Sequence, residues 1–315
     1  MQSDQSGPYD SQLQTGGAIP GADEQPAFVL RKPRHSAIPV LIAVPHAGRD
    51  YPACLLGRMR HPAEAAPRLE DRYIDLVAQR VAKATGASLL VANAPRAMID
   101  LNRSPDDVDW EMVSGPRSAI VRARFAAGRR SRSGLGLVPR RLPGLGELWR
   151  QKLRPAELSE RIEQVHTPYH ATLSHMLEAL RDRWGAALLL DMHSMPPLGP
   201  KTGIGAAADF VVGDRFGASC SGSLVTAALD HLEVQGKLAT HNRPYAGGFV
   251  LDRHGAPARG LSAMQLEVCR ATYLDSHLRE PGEGLDAVAE VVAGLVRRLA
   301  DEVASGARGF AQAAE

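Results

Sequence analysis

Two histidines stand at the ends of aliphatic runs: His46 in "VPHAGRDYP" and His193 in "LLLDMHSMP". Each is accompanied by charged partners, Asp191 two residues before His193, and Arg96, Asp100, Asn102 and Arg103 in "RAMIDLNRSP" after a third run. A fourth run, "AMQLEVCR", carries Glu267. In α/β sheets ligands gather beyond the carboxyl ends of the strands, and that rule collects these residues into one place. Two imidazoles, carboxylates and several arginines are the parts of a mononuclear zinc hydrolase acting on an acidic substrate. Zinc takes about four nitrogen or oxygen ligands, one position being left to water. His46 and His193 supply two ligands, and a carboxylate is needed as the third: Asp71 first, its neighbour Glu70 second. Asp191 is placed to orient the His193 ring through its second nitrogen. Taken singly, each residue has a plainer explanation. A strand-end histidine is commonly a hydrogen-bonded structural residue, Glu267 suits a strand facing solvent, and Arg103 suits a surface ion pair. The shared placement at strand ends carries the functional reading.

The elements that must hold these residues are legible as buried strands and amphipathic helices. The stretches 39–48, 87–95, 186–194, 208–214 and 263–270 are short, rich in Val, Leu and Ile, and followed by polar or turn residues, as strands buried on both faces are. Between them, 71–86 places Ile74, Val77, Ala78 and Val81 on one helical face and stops at Gly86. The stretch 155–185 runs from a proline to a glycine, with Pro168 expected to kink or divide it. Leu285, Val288, Val292, Leu295 and Leu299 form one stripe near the C-terminus. Strands alternating with helices predict an α/β fold with a mostly parallel sheet.

Composition narrows the function classes. The 315 residues are 44% hydrophobic and 23% charged, with a formal net charge of +2, too small to point to nucleic acid. No run of 18 apolar residues suggests a membrane span. Residues 1–30 read as a disordered leader and 31–310 as a single α/β domain, with a cytoplasmic location as the expectation. Three scattered cysteines, Cys54, Cys220 and Cys269, form neither a disulfide framework nor a zinc cluster. Residues 122–154 hold nine arginines and one lysine against a single acid, Glu147. Few aromatics there argue against base stacking, leaving a mobile basic surface loop or one that closes over an anionic substrate. In "HTPYH", Pro168 between His166 and His170 speaks against metal binding. The Gly247–Gly248 pair in "HNRPYAGGFVLDRHG" reads as a hairpin turn or as a point of close backbone approach. Without a GxSxG, GxGxxG or Walker-type stretch, serine nucleophiles and nucleotide cofactors are disfavoured.

Eight stretches, in order, resemble the N-formylglutamate amidohydrolases: "VPHAGRDYP", "EDRYIDLVA", "RAMIDLNRSP", "GLGLVPRR", "RIEQVHTPYH", "LLLDMHSMP", "NRPYAGGFVLDRHG" and "MQLEVCRATYLD". They span about residues 38–275. The resemblance implies a zinc-exopeptidase-like fold, with a central mixed sheet flanked by helices, related to the zinc carboxypeptidases and aspartoacylases. It implies His46 and His193 as zinc ligands, Asn102 and Arg103 as the grip on a substrate carboxylate, and Glu267 as general base. Carboxypeptidases carry a ligating glutamate three residues after the first histidine, where this chain has Arg49, which turns attention to Asp71 and Glu70.

The combined expectation is a zinc-dependent enzyme, one metal per chain, that hydrolyses the formyl amide of N-formyl-L-glutamate. Zinc is the expected ion, with another divalent metal as the alternative. Arg96 would face the developing oxyanion, and Arg243 and Tyr245 would complete the pocket for a second carboxylate. The alternatives are a deacylase of another N-acyl acidic amino acid, a carboxypeptidase-like hydrolase, or a ligand-binding protein of the same fold. The expected partner is a small anionic N-acyl amino acid, with no nucleic acid or membrane, and the chain is expected as a monomer or homodimer.

Overall fold

The computed structural model describes residues 11–312, except 23, 34–36, 116–133, 202 and 204. Eight strands make one mixed sheet: β1 (Ser11–Gly16), β2 (Phe28–Pro33), β3 (Val40–Val44), β4 (Ser88–Ala92), β7 (Ala187–Met195), β8 (Phe210–Gly213), β9 (Ala239–His241) and β10 (Leu261–Cys269). A small hairpin pairs β5 (Arg141–Leu142) with β6 (Gly146–Glu147). The large sheet runs β1-β2-β4-β3-β7-β10-β8-β9. Its centre, from β4 through β3 and β7 to β10, is parallel, whereas β2 on one side and β8 on the other join antiparallel. All five aliphatic runs in the sequence are strands of this sheet.

Helices cover both faces. They are α1 (Ala53–Arg58), α2 (Pro62–Leu69), α3 (Ile74–Thr85), α4 (Pro155–Arg161), α5 (Thr167–Trp184), α6 (Gly222–Val234), α7 (Phe249–His254) and α8 (Leu285–Gln312). Because side chains alternate across a strand, β7 sends Leu188, Leu190 and Met192 into the core layer under α3, α6 and α8, and Ala187 and Leu189 into the opposite layer with α5. The stripe Leu285, Val288, Val292, Leu295 and Leu299 is buried, as are Ile74, Val77, Ala78 and Val81. Among the described residues no helix is long and apolar enough to cross a membrane.

Pro168 divides its helix. A one-turn π segment, Ile162–His166, separates α4 from α5. Proline has no N–H for the carbonyl four residues back, and that carbonyl, of Gln164, instead accepts the amide of Ala18 at 3.0 Å. This contact bears on the N-terminal segment. The leader expected over 1–30 is ordered from Ser11, because β1 pairs with β2 over six residues and the following turn docks on Gln164. Gly17 makes the approach, with φ +60° and a backbone so near the Gln164 oxygen that a Cβ would collide with it. Edge pairing uses backbone groups and needs few apolar side chains, so composition gave no sign of it. Residues 1–10 lie outside the described residues.

Of the basic segment, 122–133 lies outside the described residues. The remainder is anchored: Arg140 donates to Asp109 at 2.6 Å and to Glu147 at 2.7 Å, and the Trp149 indole donates to the Pro139 carbonyl at 2.7 Å. Arg141 and Arg154 likewise meet carboxylates, of Glu147 and Glu157, and Arg150 donates to the Met59 carbonyl.

Candidate metal centre and its pocket

The strand register builds the site. On the parallel pair β7 and β10, Asp191 stands beside Gln265 and His193 beside Glu267. Residues two apart share a face, so these four side chains form a polar patch at the carboxyl ends of strands that are otherwise apolar. β7 runs on to Met195, so Asp191 and His193 are strand residues and their backbones are fixed by ladder hydrogen bonds. His46 follows the end of β3, the strand on the other side of β7. Asp71 comes from the linker between α2 and α3, and its amide donates to the His46 carbonyl at 2.8 Å.

His46, Asp71 and His193 are all buried, and one ligand atom from each lies within 4.8 Å of the others. The Asp71 Oδ2 atom is 2.9 Å from His193 Nδ1 and 3.5 Å from His46 Nδ1. The opposite edge of each ring is held by a carboxylate: His46 Nε2 is 2.7 Å from Asp100 Oδ1, and His193 Nε2 is 2.9 Å from Asp191 Oδ2. Carboxylates behind both rings fix their orientation and leave the two Nδ1 atoms converging on one point, as in carboxylate–histidine–metal arrangements. Among the described residues His46 Nδ1 has no hydrogen-bond partner although buried. A buried nitrogen without a partner costs free energy, and a divalent ion at the convergence point would satisfy it. Two imidazoles and one carboxylate suit zinc or a similar ion, with a position left open. The group could therefore hold a metal.

Electrostatics follow from burial and pairing. Burial alone would raise the Asp71 pKa, but the hydrogen bond from His193 and the closeness of the His193 and His46 rings outweigh it and hold Asp71 below the usual carboxylate range. Asp100 is likewise kept ionised, burial being overcome by Arg96 and His46. Burial disfavours a charged His193, but Asp191 and Asp71 on its two sides raise its pKa well above the ordinary imidazole value. Burial pushes Glu267 up to about 7, with His193 opposing that rise and Asp71 adding to it.

The cluster opens into a cavity of about 360 Å³ lined by Arg68, Arg96, Arg103, Tyr245, Glu267 and Arg270, among others, within the ~300–1,000 Å³ range of small-molecule sites. The structure thus brings together His46, Asp71, His193, Arg96, Asn102, Arg103, Tyr245 and Glu267, with Asp191 directly behind. It does not bring in Arg243, an exposed residue outside the cavity lining whose carbonyl accepts from Thr240. The stretch reaches the cavity wall two residues further on, at Tyr245, Ala246 and Gly247. The alternative ligand Glu70 is also outside the metal group, its carboxylate meeting Arg72 at 2.9 Å. Arg49, in the position of the carboxypeptidase glutamate, forms a two-point pair with Asp75 at 2.9 Å. Glu267 is buried within this pocket and takes a hydrogen bond from Gln265 at 2.9 Å, so the solvent-facing alternative does not apply.

Other residues emerge only in three dimensions. Asp100 has the same relation to His46 as Asp191 has to His193, although no spacing in sequence pairs them. Asn102 accepts the Val250 amide at 2.9 Å and donates to Gln265 at 3.3 Å. Gly248 carries no turn of a hairpin: it precedes α7 and lies so close to Asn102 that a Cβ would sit 2.5 Å from its Oδ1. Leu135, from within the basic segment, lines the cavity, and its carbonyl accepts from Arg103 Nε at 3.0 Å. Beneath Asn102, His166 Nε2 is 2.9 Å from the Arg103 carbonyl and His170 Nε2 is 3.0 Å from the Leu101 carbonyl. His170 Nδ1 in turn meets His254 Nε2 at 3.0 Å. The "HTPYH" histidines therefore hold backbone. Their four-residue spacing puts both on one helical face, but it does not say which groups that face meets.

The model of the N-formylglutamate amidohydrolase family matches residues 38–274. A crystal structure of N-formylglutamate amidohydrolase from Ralstonia eutropha JMP134 is similar, with a TM-score of 0.79 and 32% identity, over 89% of this chain and 99% of that one. An N-formylglutamate deformylase of Pseudomonas putida is 31% identical over 241 residues, 76% of this chain and 82% of the relative. One from Pseudomonas aeruginosa is 29% identical over 281 residues, 86% and 94% respectively.

Proposed function

The chain belongs to the N-formylglutamate amidohydrolase family, and from that premise we propose that it hydrolyses the formyl amide of N-formyl-L-glutamate to formate and L-glutamate, using one zinc ion. The observation that carries the reading is the triad His46, Asp71 and His193, with both rings fixed by carboxylates and their Nδ1 edges turned inward beside Glu267. Zinc bound there supplies a Lewis acid and an activated water near neutral pH.

The chain's own groups then have separable tasks. Glu267 takes the proton of the attacking water and delivers it to the leaving nitrogen; a carboxyl poised near 7 by burial suits both transfers. Arg96 spends Nε and Nη2 on Asp100 at 2.9 Å, and Nη1 serves the oxygen that gains charge as water adds to the formyl carbon. Arg103, with the Asn102 amide, grips one substrate carboxylate, a planar guanidinium being matched to two oxygens. Tyr245 and Arg68, at the cavity wall, face the second. Leu135 stands at the cavity wall, and steric exclusion there favours a formyl group over bulkier acyl groups.

The test combines metal analysis with formate release from N-formyl-L-glutamate, with and without a chelator. About one zinc per chain and formate release that the chelator abolishes are expected. Zinc with turnover only of other N-acyl acidic amino acids would move the substrate assignment to them. Absence of zinc binding would remove the metal reading altogether.

A further inference from the structure

His46 and His193 are attached to the sheet, but Asp71 is not: it lies in the four-residue linker between α2 and α3. A ligand on a linker needs something else to fix it, since loop backbone is held less firmly than strand backbone. All three nitrogens of Arg270 are directed at this task. Nη1 donates to the Pro67 carbonyl at 3.3 Å, and Nη2 donates to the Glu70 carbonyl, both at the end of α2 where carbonyls lack partners within the helix. Nε donates to Ser194 Oγ at 3.0 Å. The Ser194 hydroxyl, having accepted that bond, donates its own hydrogen to Asp71 Oδ1 at 3.3 Å. Nearby, the Tyr273 hydroxyl donates to the Arg72 carbonyl at 2.7 Å and ties down the far side of the same linker.

We infer that Arg270 and Ser194 form a positioning device for the Asp71 ligand, and that this device sets the affinity of the metal centre. The division of the carboxylate is the core of the argument. Oδ1 accepts from Ser194 and lies 3.5 Å from Arg270 Nη2, and Oδ2 faces the two Nδ1 atoms. Held in this way, Asp71 offers the metal one oxygen and keeps a coordination position open for water. The segment after β10 is thus the counterpart, for a ligand carried on a linker, of the sheet that holds His193 within β7 and His46 two residues beyond β3. Neither Arg270 nor Ser194 is assigned a part in proton transfer. The inference rests on the metal reading above and concerns only how one ligand is held.

The experiment measures zinc affinity by competition with a chromophoric chelator for the parent, Ser194→Ala and Arg270→Lys. Cobalt(II) titration, followed by visible absorption, reports the coordination geometry. Loss of such supporting contacts to a ligand costs about 10- to 100-fold in metal affinity. That weakening is expected in both variants, with a changed cobalt spectrum and with the metal-free proteins unfolding at the parent's temperature. Lysine keeps the charge of Arg270 but cannot make its three divergent bonds, so charge alone is not expected to rescue binding. Should Arg270→Lys prove unstable, Ser194→Ala, which removes one hydroxyl, decides the matter. Zinc bound by Ser194→Ala within twofold of the parent, with an unchanged cobalt spectrum, overturns the inference while leaving the zinc enzyme intact. A parent that binds no zinc overturns both.

Discussion

Replacing His254 with glutamine should alter the acid stability of the zinc-free protein by an amount the structure allows to be worked out. The Leu101 carbonyl can only accept, so His170 must carry its hydrogen on Nε2 and accept on Nδ1. His254 must then donate from Nε2 at 3.0 Å and accept at Nδ1 from the Ser174 hydroxyl, 3.4 Å away. His170 and His254 are both neutral in this arrangement. Burial, with Arg253 and His166 nearby, lowers the His254 pKa from 6.5 to about 3. A depressed folded-state pKa gives stability that is complete above the unfolded value, 6.5, and is lost as pH falls toward the folded one. Between pH 7 and pH 5 the loss is about 2 kcal/mol, from ~1.4 kcal/mol per pH unit below 6.5. His193, raised by its carboxylates, contributes with the opposite sign, but it is common to parent and variant and cancels in their difference. Urea unfolding of metal-free parent and His254→Gln at pH 7, 6 and 5, followed by tryptophan fluorescence, should show the parent's advantage shrinking by about 2 kcal/mol. Stability curves that stay parallel across this range would refute the buried, neutral assignment of His254.

Three further outcomes test the site. Glu267→Gln should retain zinc yet lower turnover by between about a hundred- and ten-thousand-fold, the usual contribution of a positioned acid–base group; steady-state formate release on metal-loaded protein checks it. Gly248→Ala places a methyl against Asn102 Oδ1 and should raise KM for N-formyl-L-glutamate by ten-fold or so through displacement of Asn102 and Arg103 (about 1.4 kcal/mol), with zinc content as the control. Arg243→Ala, at an exposed position outside the cavity lining, should leave kcat/KM for the same substrate within about twofold, since surface changes away from a site have small effects.

Much of the fold was legible in the chain because burial on both faces forces strands into short continuous aliphatic runs. Val40–Val44, Ser88–Ala92, Ala187–Met195, Phe210–Gly213 and Leu261–Cys269 all declare themselves in that way. His46, Asp191, His193 and Glu267 were legible for a related reason: a polar residue in such a run interrupts a local pattern. β1 and β9 gave no such signal, being short edge strands that pair through backbone alone and bury few side chains. Nor could the "HTPYH" histidines be assigned from spacing, because their acceptors, the carbonyls of Leu101 and Arg103, lie more than 60 residues away.

The sequence by itself determined which residue types are present and on which face of a strand each stands, since a period of two is a local property of the backbone. Only the tertiary structure sets Asp71, and not Glu70, beside the two histidines. The two are adjacent carboxylates and both buried; the difference is that the Asp71 amide is bonded to the His46 carbonyl and its Oδ1 to Ser194, while the Glu70 carboxylate turns to Arg72. Those partners come from β7 and from the turn after β3, 123 residues and 25 residues from Asp71. Tertiary packing likewise decided that Asp100 backs His46, that Arg243 stays outside the pocket, and that Arg270 is bonded to the end of α2 and the linker after it. Each of these is a contact between segments distant in the chain, set by the order in which the strands enter the sheet, and no local pattern encodes it.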